Sequence, residues 1–125
     1  MIRRRRAYEP PEPGDGLRVL VDRVWPRGLS RDELHIARWE RDLAPSTELR
    51  RWFGHDPARW PEFRTRYRQE LASGEARDAL ARLADEARRG TVTLVYGARD
   101  TEHNQAAVLE EAVADQVAGD ASAPG

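Results

Sequence analysis

Apolar residues recur along this chain with two different periods, and the change from one to the other marks its elements. In TVTLVY, residues 91–96, β-branched and apolar residues follow one another after Gly90, which predicts a short strand. From Asp100 onward the apolar positions move to helical spacing, so a strand, a tight turn and a helix follow in close order. LRVLVDRVW, residues 17–25, is apolar on both faces, which predicts a central, buried, parallel strand. Between these two stretches Trp60, Phe63, Tyr67 and Leu71 recur at three and four, an amphipathic helix within residues 57–73. Ala76, Leu80, Leu83 and Ala87 mark a second helix that Gly90 ends.

Helices joining two strands by so long a crossover favour parallel pairing. The pattern therefore predicts an α/β fold, a small mainly parallel sheet with helices on both faces, as a single domain over residues 1–114. Beyond about Asp115 the composition turns to Ala, Gly, Asp, Ser and Pro, so residues 115–125 are expected to form a flexible C-terminal tail. Smaller signals punctuate the middle. Ser30 and Glu33 form a capping box, Ser46 caps a turn carrying Leu49, Trp52 and Phe53, and Asp56 before Pro57 opens the next helix. IRRRRAY at residues 2–8 alternates weakly; its arginines read either as a solvated edge strand or as an anion- or nucleic-acid-binding arm.

Composition narrows the chemistry. The chain has 125 residues, no cysteine and no lysine, and all 21 of its basic side chains are arginine. Disulfides, thiolate catalysis, iron–sulfur ligation and Schiff-base chemistry are thereby excluded. With 22 acidic residues the net charge is −1, which argues against general nucleic-acid binding. No apolar run approaches a membrane span and no apolar segment follows the first arginines, so the expected setting is the cytoplasm, with no membrane partner.

In α/β folds ligands collect where turns leave the carboxyl ends of the strands. Here one such turn carries Asp22, Arg23, Trp25 and Arg27, and the other carries Arg99, Asp100, His103 and Asn104. Asp100 suits an N-cap, which would place His103 in the first helical turn, where a positive charge is disfavoured and a neutral imidazole can accept a proton or bind a metal. The alternative is a first-turn polar residue bonded to a backbone carbonyl. His55 lies between two tryptophans in sequence and either projects into the same hollow or is a satisfied structural histidine.

DRVWPRG, RDLAPSTELRRWFGHDPARWPEF, RYRQEL and TLVYGARDTEHNQAAVL, in this order, resemble the signature blocks of the YeaO-like proteins, a branch of a large bacterial family named only as a domain of unknown function. The resemblance implies a small cytoplasmic α/β protein with a Rossmann-like, three-layer fold. The wider family often carries a strand-terminal Cys and a later Cys-His-Arg in the last block. Here the strand ends in Val95, Tyr96 and Gly97, with Asn104 and Gln105 near the Cys-His positions, so thiol chemistry does not carry over.

Three functional readings follow. The first is a pocket for a small anionic ligand at the carboxyl rim of the sheet near His103, with Arg23, Arg27 and Arg99 as charge partners, Trp25 and Tyr96 as walls, and Asp22, His55 and Asn104 beside them. The second makes His103 a ligand for haem iron or a divalent metal, with arginines pairing propionates. The third is an enzyme in which His103 acts as general base, oriented by Asp100 or Asn104. A protein that exposes its arginines to a partner, or pairs with a second copy as a homodimer, is also compatible with these residues.

Overall fold

The computed structural model describes residues 1–122. Four parallel strands form one sheet, β1 (Ile2–Arg6), β2 (Leu17–Leu20), β3 (Arg38–Trp39) and β4 (Val92–Tyr96), in the spatial order β1-β4-β2-β3. Five α-helices accompany them: α1 (Arg31–Leu34), α2 (Thr47–Phe53), α3 (Trp60–Glu70), α4 (Gly74–Arg89) and α5 (Gln105–Ser122). This is a small α/β fold. The two strands predicted from the apolar runs lie side by side at its centre, Val19 opposite Leu94 and Leu20 opposite Val95.

Strand alternation divides the core in two. Val19, Val21, Val92, Leu94 and Tyr96 point to one face, where α2 to α5 bury them with Leu49, Phe53, Phe63, Tyr67, Leu83 and Leu109. Leu20 and Val95 point to the other, covered more thinly by Leu34 of the one-turn α1 and by Trp25, Leu29, Ile36 and Trp39. The polar residues of this second face, Arg18 and Thr93, are also buried. Thr93 Oγ1 donates to the Asp15 carbonyl at 2.6 Å, Arg18 donates to Asp15 Oδ2 at 2.6 Å, and Arg18 Nε donates to the Leu34 carbonyl at 3.0 Å. This cluster pins the Pro13–Asp15 turn under the sheet. Gly16 follows at φ 62°, and a side chain there would strike the Thr91 carbonyl.

The structure departs from these expectations at several points. The β2 strand ends at Leu20 rather than Trp25, because the chain turns after Val21 to send Asp22 toward the end of β4. The two-residue β3 leaves no periodic signal and was not expected. The last helix begins at Gln105, not after Asp100, and it runs to Ser122, through much of the segment expected to be a flexible tail. Ala-rich chain favours the extension, and Val117 still packs against the core. Residues 123–125 of that tail lie outside the described residues. The β1 arginines form an edge strand, as one of the two readings had it, but they are committed to neighbours rather than solvated. Arg4 pairs with Glu110 at 2.5 Å, Arg5 with Glu12 at 3.1 Å, and Arg6 Nε donates to the Ala98 carbonyl at 2.9 Å.

Truncating Asp15 would leave the buried Arg18 guanidinium without its carboxylate. Asp15→Ala is therefore expected to cost about 3–5 kcal/mol in urea unfolding. Arg66→Ala, which removes an exposed pair with Glu62 one helical turn away, should cost less than about 1 kcal/mol.

Candidate functional site

At the carboxyl rim, β2 and β4 leave the sheet side by side and α5 returns close to them. Asp22, two residues beyond β2, holds the three together. Its Oδ2 accepts the Gly97 backbone N–H at 2.8 Å, and its Oδ1 accepts the side-chain amide of Gln105, the first residue of α5. A Cβ at position 97 would lie 2.9 Å from Asp22 Oδ2, so any other residue there would push the carboxylate aside. Burial pushes the Asp22 carboxyl up to about 6, against the opposing pull of the Gly97 amide, the Gln105 side chain and the Arg50 guanidinium.

The segment between β4 and α5 is a bend stabilised by its own side chains. Asp100 Oδ1 accepts the N–H groups of Glu102 and His103, both at 2.9 Å, which is the expected capping geometry applied to a turn instead of a helix. Those two amides, joined by the His103 ring, hold the Asp100 carboxyl down at about 2. Asn104 is the residue that caps α5: it is buried, its Oδ1 accepts Ala107 N–H at 2.9 Å, and its Nδ2 donates to the Asp100 carbonyl at 2.8 Å. His103 thus sits ahead of the helix and not in its first turn, and the argument from the helix dipole does not apply to it. Its Nδ1 lies 2.9 Å from Asp100 Oδ2 and its ring meets Trp60 edge-on, with centroids 5.2 Å apart.

A cavity of about 300 Å³ opens at this rim. Of the residues singled out in the sequence, Asp22, Arg23, Trp25, Arg27, His55, His103 and Asn104 line it. Arg23 donates to the Pro45 carbonyl at 3.1 and 3.2 Å, Tyr8 Oη donates to the Arg27 carbonyl at 2.9 Å, and no carboxylate pairs with either guanidinium among the described residues. His55 stands at φ 57°, directly after the left-handed Gly54 that ends α2, and its ring lies 6.1 Å from that of Phe53.

Tyr96 and Arg99 are not lining residues. Tyr96 is buried on the core face and lines a separate shallow surface with Arg4, Glu9 and Glu110, and Arg99 is exposed beyond the rim. Phe53, which lies in the second family block, lines the cavity too, and Arg50, Phe63, Gly97 and Gln105 do so without having been expected. Arg50 and Phe53 are three apart on α2 and share a face, a signal that helical spacing carries once α2 is known to reach the rim. Nothing in the sequence placed the start of α3, with Phe63, under the same hollow.

Among the described residues, no group of three or more His, Asp or Glu side chains is placed to hold a metal ion, and no helix is long and apolar enough to cross a membrane. The lining contains no serine, threonine or cysteine.

Residues 1–124 match a family model described as the inactive DUF488-N3 subclade. The chain is 42% identical over 110 residues to the uncharacterized protein YeaO of Escherichia coli, covering 88% of this chain and 94% of that one. The chain belongs to the YeaO-like family. An uncharacterized protein of Mycobacterium tuberculosis, 44% identical over 110 residues, covers 88% of this chain and is itself covered to 91%. No solved structure matches the chain. Within the family frame, the blocks DRVWPRG and TLVYGARDTEHNQ are the segments that carry Asp22, Gly97, His103 and Gln105 to one rim.

The raised Asp22 carboxyl sets a pH dependence. Its folded value lies above its ordinary value of 3.8, so the native state binds the extra proton and stability falls as pH rises from about 4 through 6. Asp100, held low, acts only in more acid solution. Comparing urea unfolding of the wild type and Asp22→Asn from pH 4 to 7 should show the wild type losing roughly 2–3 kcal/mol relative to the variant across that window. Parallel curves would contradict the burial of this carboxyl.

Proposed function

We propose that the protein binds a small anionic molecule in the rim cavity and does not turn it over. The observation that carries this reading is the convergence of Arg23, Arg27 and Arg50, from two separate segments, on one hollow beside His103, where among the described residues none of the three forms a salt bridge and only Arg50 feels the charge of a carboxylate, that of Asp22. Most other arginines that make ion pairs do so with carboxylates elsewhere on the surface, as Arg38 does with Glu40 and Glu86. Guanidinium groups left over at a concave site suit a carboxylate or a phosphate, which they grip through paired N–H donors.

The volume is that of about ten water molecules, the scale of a small organic acid or a monophosphate. A lining without serine, threonine or cysteine supports binding over covalent catalysis through those side chains, and the description of the matching family as an inactive subclade supports it too. The paired Asp100 carboxylate and His103 imidazole would then orient a bound anion through the ring's remaining nitrogen rather than abstract a proton. The proposed compartment is the cytoplasm.

A thermal-shift screen of carboxylates and phosphate esters tests the reading. A ligand present at a hundred times its Kd should stabilise the wild type by about 2.7 kcal/mol, a rise in Tm of several degrees. Arg50→Ala should lose most of that rise and Arg99→Ala, outside the cavity, should keep it. Equal loss in both variants, or no stabilising anion at all, would contradict the pocket.

A further inference from the structure

The cavity is sorted by burial, and the sorting separates its chemistry. Its buried members include Phe53, Phe63, Pro26 and Pro45, with Phe53 5% and Phe63 2% exposed. Its exposed members include Arg23, Arg27, Arg50 and His55. The guanidinium groups therefore stand at the mouth, and the floor is apolar and largely aromatic apart from Asn104, whose amide is taken up by the Asp100 carbonyl and the Ala107 N–H.

The floor rings form a connected stack. Phe53 and Phe63 lie 4.3 Å apart with planes inclined by 22°, Phe63 and Trp60 lie 5.6 Å apart at 27°, and Trp60 meets His103 edge-on at 83°. Such a stack accepts a further flat ring at its open edge by offset or edge-to-face contact. Asp22 adds a sign to this arrangement. It is the only acidic residue in the lining, it sits more buried than the arginines, and its carboxylate would repel a second negative group brought past the mouth. A bound anion must keep its charge at the arginines, and what enters behind it must be uncharged.

We infer that the cavity selects an aryl anion, a planar aromatic ring carrying one terminal carboxylate or phosphate, held ring inward against Phe53 and Phe63 with its charge at Arg23, Arg27 and Arg50. The inference rests on the anion-binding reading and adds to it the shape and polarity of the ligand. Acetate and inorganic phosphate would reach only the mouth. A saturated ring of similar bulk would fill the floor without matching the flat stack.

Titration calorimetry of the full chain at pH 7.5 with acetate, inorganic phosphate, benzoate, phenyl phosphate, cyclohexanecarboxylate and neutral benzamide separates the two levels. Benzoate or phenyl phosphate is expected to bind about tenfold or more tightly than acetate or inorganic phosphate, and the stronger of the two names the head group. Arg50→Ala should weaken the aryl anions about tenfold while leaving benzamide unchanged. Acetate and phosphate binding as tightly as their aryl counterparts would overturn the ring-inward inference and leave the anion pocket standing. Benzamide matching benzoate, or no binding by any of the six, would overturn the anion reading and the inference together.

Discussion

One carboxylate organises the functional end of this molecule. Asp22 leaves the end of β2, accepts the amide that follows β4 and accepts the first side chain of α5, so three segments distant in sequence share a single acceptor group. A Cβ at position 97 would lie 2.9 Å from the oxygen that accepts the Gly97 amide, so a larger residue there would make the Asp22 side chain shift. Burial of this group is unfavourable for its charged form, and only the donors around it make it tolerable. With the tie in place, Arg23 and Arg27 on one side and His103 on the other are brought to the same hollow. Without it, the two turns would have no fixed relation beyond the strand pairing that ends at Leu20 and Val95.

Charge elsewhere in the chain is spent on structure. The arginines of β1 hold the Glu9–Asp15 segment and α5, Arg18 is sealed under the sheet with Asp15, and Arg38 grips Glu86 on α4. A protein that is 34% charged can therefore fold around a modest apolar core, since many of its charges meet opposite partners across element boundaries. Exposed pairs of this kind add little stability each; their effect here is to set which segments lie together. Against that background the cavity arginines stand out by position, three guanidinium groups without a salt bridge among the described residues delivered to one concave site.

How much of this was legible in the sequence depended on the length scale of the signal. The paired central strands, α3, α4 and the caps at Ser30, Ser46 and Asp56 all follow from periodicity and local hydrogen bonding, and they stand where those rules put them. The choice of two turns as one site also rested on a general property of parallel sheets. What was not legible needed tertiary information. Asp100 has the residue type and downstream amides of an N-cap, and it does accept those amides, but the helix waits for Asn104 because the intervening bend is also satisfied by Asn104 itself. Tyr96 and Arg99 adjoin the site in sequence yet face elsewhere, and Arg50 and Phe63 reach it from helices whose approach no spacing rule predicts.

The account depends most on the bond from Gly97 to Asp22, and the amide of Gly97 reports on it directly. In a series of nitrogen-15 correlation spectra from pH 3 to 8, its proton shift should follow the titration of the carboxyl that accepts it, with a midpoint near 6. A Gly97 amide whose shift stays flat across this range would show that Asp22 does not accept it and does not hold the rim together.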